Sequence, residues 1–160
     1  MHQSKMVLVG RLVGDAETRQ VGDSMVTNFT VAVDTNQRLT AAQRAELGVD
    51  NEYATATAFW RCTTWGNWGS SLVGNGSLMK GVMVSVQGEV EVDPVTHAPK
   101  TFTRNNGEVG TSLNLRLDQG NQGLTVLSSR ADRERLAGGA TAAAPVAHTA
   151  PQEVEEEIIF

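Results

Sequence analysis

Apolar and polar residues alternate with a period of two through the first 130 residues, punctuated by Gly, Asn and Asp clusters, and that pattern demands β structure. Five runs carry it. Residues 5–13 (KMVLVGRLV) are almost continuously apolar, as expected of a strand buried on both faces. Residues 26–34 (VTNFTVAVD) point Phe29, Val31 and Val33 one way. Residues 54–65 (ATATAFWRCTTW) form the third run, 82–92 (VMVSVQGEVEV) the fourth and 111–118 (TSLNLRLD) the fifth. In the fourth, Val82, Val84, Val86, Val90 and Val92 share a face, and Gly88 marks a bulge or bend. In the fifth, Leu113, Leu115 and Leu117 point inward while Asn114 and Arg116 point outward. Residues 123–129 suit a short edge strand.

Helical signal is sparse. Thr40 and Gln43 stand at capping-box spacing and Gly48 is a natural stop, so 40–48 predicts about two turns between the second and third strands. Residues 67–81 are too Gly-rich for more than a poor helix. Five strands with an insertion after the third is the pattern of an all-β fold, the five-stranded Greek-key barrel known as the OB-fold. After Ser129 the chain becomes rich in Ala, Gly and Pro with no sustained apolar period. The expected organisation is therefore a barrel domain over 1–130, a disordered linker over 131–152 and an acidic tip over 153–160.

The third strand carries the binding reading. Its even positions (Ala54, Ala56, Ala58, Trp60, Cys62, Thr64) are small or apolar and make a sound core face. Its odd positions (Thr55, Thr57, Phe59, Arg61, Thr63, Trp65) set two rings around an arginine. Burying Arg61 unpaired would be costly, and exposing two rings idly is unusual. Flat rings beside a cation suit nucleobases that stack while phosphates meet the guanidinium, and stacking tolerates any base sequence. The alternative is that these rings lie in a subunit interface or under the long loop. Trp60 and Cys62 belong to the core or an interface, and Trp68 suits an anchor for the Gly-rich insertion.

Charge constrains this reading. The chain of 160 residues carries a net charge of −5, with four glutamates in the last eight residues. Residues 1–130 hold 11 Lys/Arg against 12 Asp/Glu, so any grip on nucleic acid comes from local clustering and stacking, not from a strong overall field. The scattered bases Lys5, Arg11, Arg19, Arg38, Lys80, Lys100 and Arg104 are candidates for such clustering where strand ends and loops converge.

The chain ends QEVEEEIIF. Glu155, Glu156 and Glu157 followed by Ile158, Ile159 and Phe160 form an apolar anchor beside negative charge, suited to a Lys- or Arg-rimmed pocket on another protein. The competing reading is a terminal strand packed on the barrel.

Together these features resemble the bacterial single-stranded DNA-binding protein (SSB) family, over about residues 4–118 and again at the tip. SKMVLVGRLVGDAETR resembles the family's opening strand and turn, with Asp15, Glu17 and Arg19 at matching spacing, and VTNFTVAV its second strand. FWRCTTWG is similar to its third, placing Phe59, Arg61 and Trp65 on the aromatic–basic–aromatic positions. LMKGVMVSVQGEVEV resembles its lysine–glycine turn, with Lys80 on a DNA-contacting position, and EEEIIF its acidic, Phe-terminated tail. The resemblance implies sequence-independent binding of single-stranded DNA in replication, recombination and repair. It also implies a homotetramer and recruitment of replication and repair proteins through the tip. Departures predict weaker or differently routed binding. Glu89, Glu91 and Asp93 stand where the family places bases and then an aromatic. The loop after the second strand lacks tryptophan, with Tyr53 the nearest ring; Phe102, flanked by Lys100 and Arg104, is a substitute. Ile159 replaces a common proline.

Other classes fit poorly. Cys62 faces the core and has only His2, His97 and His148 as imidazole candidates, so an enzyme is not expected. No Cys/His cluster has metal spacing and no Gly-rich phosphate motif occurs, so neither metal nor cofactor is expected. No run of about 18 apolar residues suggests a membrane span, and the lone cysteine suits a reducing, cytoplasmic setting. The stronger rival is an OB-fold interaction subunit of a replication or recombination complex that binds DNA weakly or not at all.

Overall fold

Among the described residues the alternating runs become nine strands, with three α-helices between and after them. In chain order these are β1 (Met6–Leu12), β2 (Glu17–Val21), β3 (Ser24–Arg38), α1 (Ala41–Leu47), β4 (Tyr53–Trp65) and α2 (Asn67–Gly74). There follow β5 (Met83–Val90), β6 (Thr101–Thr103), β7 (Val109–Thr111), β8 (Leu113–Leu117), β9 (Leu124–Val126) and α3 (Arg130–Ala142). The computed structural model describes residues 3–142, with side chains through residue 138.

Five strands close on themselves. β1 pairs antiparallel with β3 and β5, β3 with β4, β4 runs parallel to β8, and β8 returns antiparallel to β5. The result is a five-stranded OB-type barrel, as the strand pattern predicts. β2 extends the sheet beside β3, β9 pairs with β5, and β6–β7 form a separate hairpin. Inside lie Val31, Val82, Val84, Val86, Leu115 and Leu124, all at most 1% exposed, packed with Leu12, Phe29, Cys62 and Leu117. Gly88 allows the β5–β8 crossing, since a Cβ there would sit 2.0 Å from the Arg116 carbonyl oxygen.

The structure corrects several expectations. β1 is not buried on both faces: Val7 and Val9 are 58% and 50% exposed, because one side of the strand faces outward. Val92 falls beyond the end of β5 and is exposed, so the valine face ends at Val90. The insertion after β4 does form a helix despite its glycines. Tertiary packing overrides propensity there: Leu72 is buried, and Gly69 lets α2 press onto the buried Thr27 and Thr64. The linker was expected from residue 131, yet α3 occupies residues up to Ala142. Ser129 and Asp132 cap it reciprocally. The Ser129 hydroxyl accepts from the Asp132 amide at 3.1 Å, and the Asp132 carboxylate accepts from the Ser129 amide at 3.3 Å. Arg130 pairs with Glu134 at 2.8 Å one turn on, and Leu136 packs against the core beside Gly81. The predicted helix α1 is present with both halves of the Thr40–Gln43 capping box and a left-handed Gly48. The linker beyond Ala142 and the tip at 153–160 lie outside the described residues.

Candidate nucleic-acid interface

The registers of β2, β3, β4, β5 and β8 sort the outer face into rungs. Opposed residues share a side of a sheet, so pairing alone sets neighbours. One rung runs Arg19–Val26–Trp65 from β2 through β3 to β4. The next runs Glu17–Asn28–Thr63–Arg116–Glu89, crossing β8 to β5. A third runs Thr30–Arg61–Asn114, and a fourth pairs Ala32 with Phe59. The two faces of β4 separate as the parity predicts. Cys62 and Thr64 are at most 1% exposed on the inner side, while Phe59 and Trp65 are 58% and 43% exposed on the outer. Trp60 packs against the core. Burial pushes the Cys62 thiol up to about 12, so it is an inert core residue.

Between the rungs lies a cleft of about 620 Å³ that brings Arg19 and Arg61 together with Asn28, Thr30, Thr63 and Asn114. Neither arginine has an ion-pair partner among the described residues. Thr63 donates to the Asn28 side chain at 2.9 Å, which holds the floor in place. A second cleft, about 340 Å³, opens beside Trp65 and is lined by Glu89, Arg116, Leu117, Asp118 and Gln119. Asp15, Glu17 and Glu91 also line the larger of these two clefts, but none is within ion-pair distance of either arginine. Two guanidinium groups without ion pairs among the described residues, continued by exposed rings, form a surface for phosphate and base together.

The single-strand binding protein family matches residues 3–119. The chain belongs to that family. Its members are DNA-binding proteins without enzymatic activity, and this chain is accordingly not an enzyme. Among solved structures, a small single-stranded DNA-binding protein from Streptomyces coelicolor is similar, with TM-score 0.52 and 19% identity over 79% of this chain and 95% of that one. An SSB from Plasmodium falciparum in complex with ssDNA is also similar, with TM-score 0.57 and 22% identity over 80% and 97%. These likenesses concern the fold. No curated protein sequence matches the chain.

Within this family member the other candidate residues are placed unequally. Lys80 is exposed on the turn after α2, where its amide donates at 2.8 Å to Asp15 on the rim of the arginine cleft. Arg11 donates to the Gly81 carbonyl oxygen at 2.9 Å. Lys5 is held by Asp118 and lies 4.0 Å from Glu89. Its hydrogen bond, then that of Gln87, keeps the Asp118 carboxyl below the usual range. Phe102, 47% exposed, lies on the β6–β7 hairpin and lines neither cleft, its ring against Gly110. Nearby, Lys100 pairs with Glu91 at 3.8 Å and Arg104 with Glu108 at 3.6 Å. Tyr53 is exposed at the far end of β4, about 20 Å from Phe59 along the strand. Trp68 anchors the insertion as expected, its indole N–H donating to the Leu124 carbonyl oxygen at 3.0 Å. Sequence reasoning passed over Arg116 and Asn114 as site residues. Their signal was the outward parity of β8, which becomes informative only once β8 is known to lie beside β4.

Proposed function

We propose that this chain coats single-stranded DNA without sequence preference, with bases stacking on Phe59 and Trp65 and phosphates meeting Arg61 and Arg19. The observation that carries this reading is the outer face of β4, where two half-exposed rings flank an ion-pair-free arginine. The family assignment supports it. The proposal extends to a role in DNA replication, recombination and repair in the cytoplasm, with partner proteins recruited by the tip at 153–160. Assembly as a homotetramer belongs to the same proposal, and the exposed Val7 and Val9 on β1 favour burial against another copy.

Tryptophan fluorescence titrated with oligo-dT at several salt concentrations, with duplex as control, tests the binding. Tight, salt-sensitive quenching by the single strand alone is the expected result; indifference to oligo-dT at low salt refutes it. The rival reading, an interaction subunit with weak DNA binding, draws support from the ion-paired Lys5, Lys100 and Arg104. The same titration separates the two. Deleting residues 153–160 should keep or raise DNA affinity while abolishing partner capture, since a tethered polyanion competes with DNA.

A further inference from the structure

Resting on the DNA-coating reading, one asymmetry of the site has a definite consequence. The cations on the outer face fall into two groups. Arg19 and Arg61 share the 620 Å³ cleft with Asp15, Glu17 and Glu91, yet neither arginine forms an ion pair among the described residues. Arg116 and Lys5, on the Trp65 side, are both met by one carboxylate. Glu89 accepts from Arg116 Nη2 at 2.9 Å through Oε2 and approaches Lys5 Nζ at 4.0 Å through Oε1. Asp118 completes the cluster by holding Lys5 and accepting from Gln87 Nε2 at 3.1 Å. The register enforces this. Glu89 is the Cα partner of Arg116, which is in turn the partner of Thr63, two residues before Trp65. Glu89 and Arg116 both line the cleft at Trp65.

We propose that Glu89 is an affinity-limiting residue, an internal stand-in for phosphate that occupies Arg116 and Lys5 until a DNA strand displaces it. Phosphate entering this half of the path exchanges one anion for another: the displaced Glu89 carboxylate draws cations back, so few of the counterions condensed on the DNA are lost net there. The Arg19–Arg61 half makes ordinary, salt-sensitive contacts. A strand is therefore gripped firmly along β2–β4 and loosely beside Trp65, which favours ready release of that portion. The pairs are part-exposed, with side-chain exposures of 37% for both Lys5 and Glu89 and 59% for Arg116, so the exchange is accessible to solvent and ligand.

The test is a double-mutant cycle on the full chain, read by oligo-dT titration across salt concentration. Glu89→Gln should raise affinity about 2- to 5-fold at low ionic strength, the scale of one exposed ion pair. The log–log salt slope should steepen by about 0.7, one added phosphate contact at Arg116, since Asp118 still holds Lys5. Arg116→Gln should cost less than about twofold in the wild type yet remove most of the gain in the Glu89→Gln background. Glu46→Gln, on α1, removes the same charge elsewhere and should leave the slope unchanged. An unchanged slope in Glu89→Gln overturns the proposal, as does an equal gain from Glu46→Gln. If the wild type ignores oligo-dT while Glu89→Gln binds it, the DNA-coating reading of the native chain falls and the role of Glu89 stands. If neither binds, both fall.

Discussion

Phe59 offers the cleanest separation of stacking from mere apolar contact. It is 58% exposed, and its cross-strand neighbour on the outer face is only Ala32, so removing the ring uncovers little. The buried part, a little under half of a large aromatic surface, is roughly 80 Å², which sets a ceiling of about 2 kcal/mol on lost stability at 25 cal/mol/Å². The DNA term is separate: one stacked base contributes about 1–3 kcal/mol, a loss of roughly 5- to 150-fold in affinity. Two variants divide the explanations. Phe59→Ala deletes both ring and area, whereas Phe59→Leu keeps most of the apolar area but has no π-face. Stacking predicts that both lose affinity, with Phe59→Leu recovering only a minor part. Because all three tryptophans remain, the fluorescence titration with oligo-dT still reports binding in either variant. Thermal unfolding runs alongside to confirm a folded barrel. Wild-type affinity in Phe59→Leu would refute the stacking argument, and wild-type affinity in both would remove Phe59 from the site.

Three further outcomes follow from the geometry. Arg61→Ala should reduce the magnitude of the salt slope by about 0.7, while Arg104→Ala, whose guanidinium already faces Glu108, should leave it nearly unchanged; equal effects in oligo-dT titrations would contradict the assignment. Asp118 has a depressed carboxyl pKa in the fold, so its contribution to stability is present above the unfolded value near pH ~3.9 and is lost as pH falls through the lower folded value. Thermal melts from pH 7 downward should accordingly show a shallower acid loss in Asp118→Asn than in the wild type. Gly69→Ala should destabilise by about 1–3 kcal/mol despite a helix-propensity gain of about 1 kcal/mol. Its new Cβ would lie 2.6 Å from Thr64 Cγ2 and 2.7 Å from Thr27 Oγ1, and a lowered urea midpoint is the measure.

The barrel was legible because its strands are amphipathic, and period-two parity needs no partner to be read. β4 shows this best: Cys62 and Thr64 went inward and Phe59, Arg61 and Trp65 outward, as alternation requires. Where a run is apolar on both sides, parity is silent. β1 looked doubly buried, and only its place in the barrel shows that Val7 and Val9 face out. α2 could not be foreseen because its stability lies in contacts of Leu72 and Gly69 with distant strands. α3 did carry a local mark in the Ser129–Asp132 cap, obscured by the Ala- and Gly-rich composition that follows. Of the candidate cations, sequence could nominate Arg19 and Arg61 but not know that Lys5, Lys100 and Arg104 find carboxylates. Those pairings join residues from different elements or depend on a hairpin's shape.

Because β4 serves the core with one set of side chains and the ligand face with the other, its length cannot drift by a single residue. One inserted or deleted amino acid between Tyr53 and Trp65 would turn Arg61 toward Val31 and Leu115 and push Cys62 into solvent, ruining interior and surface together. Residues added to the α1 and β6–β7 excursions, by contrast, would leave the phase of the barrel strands intact.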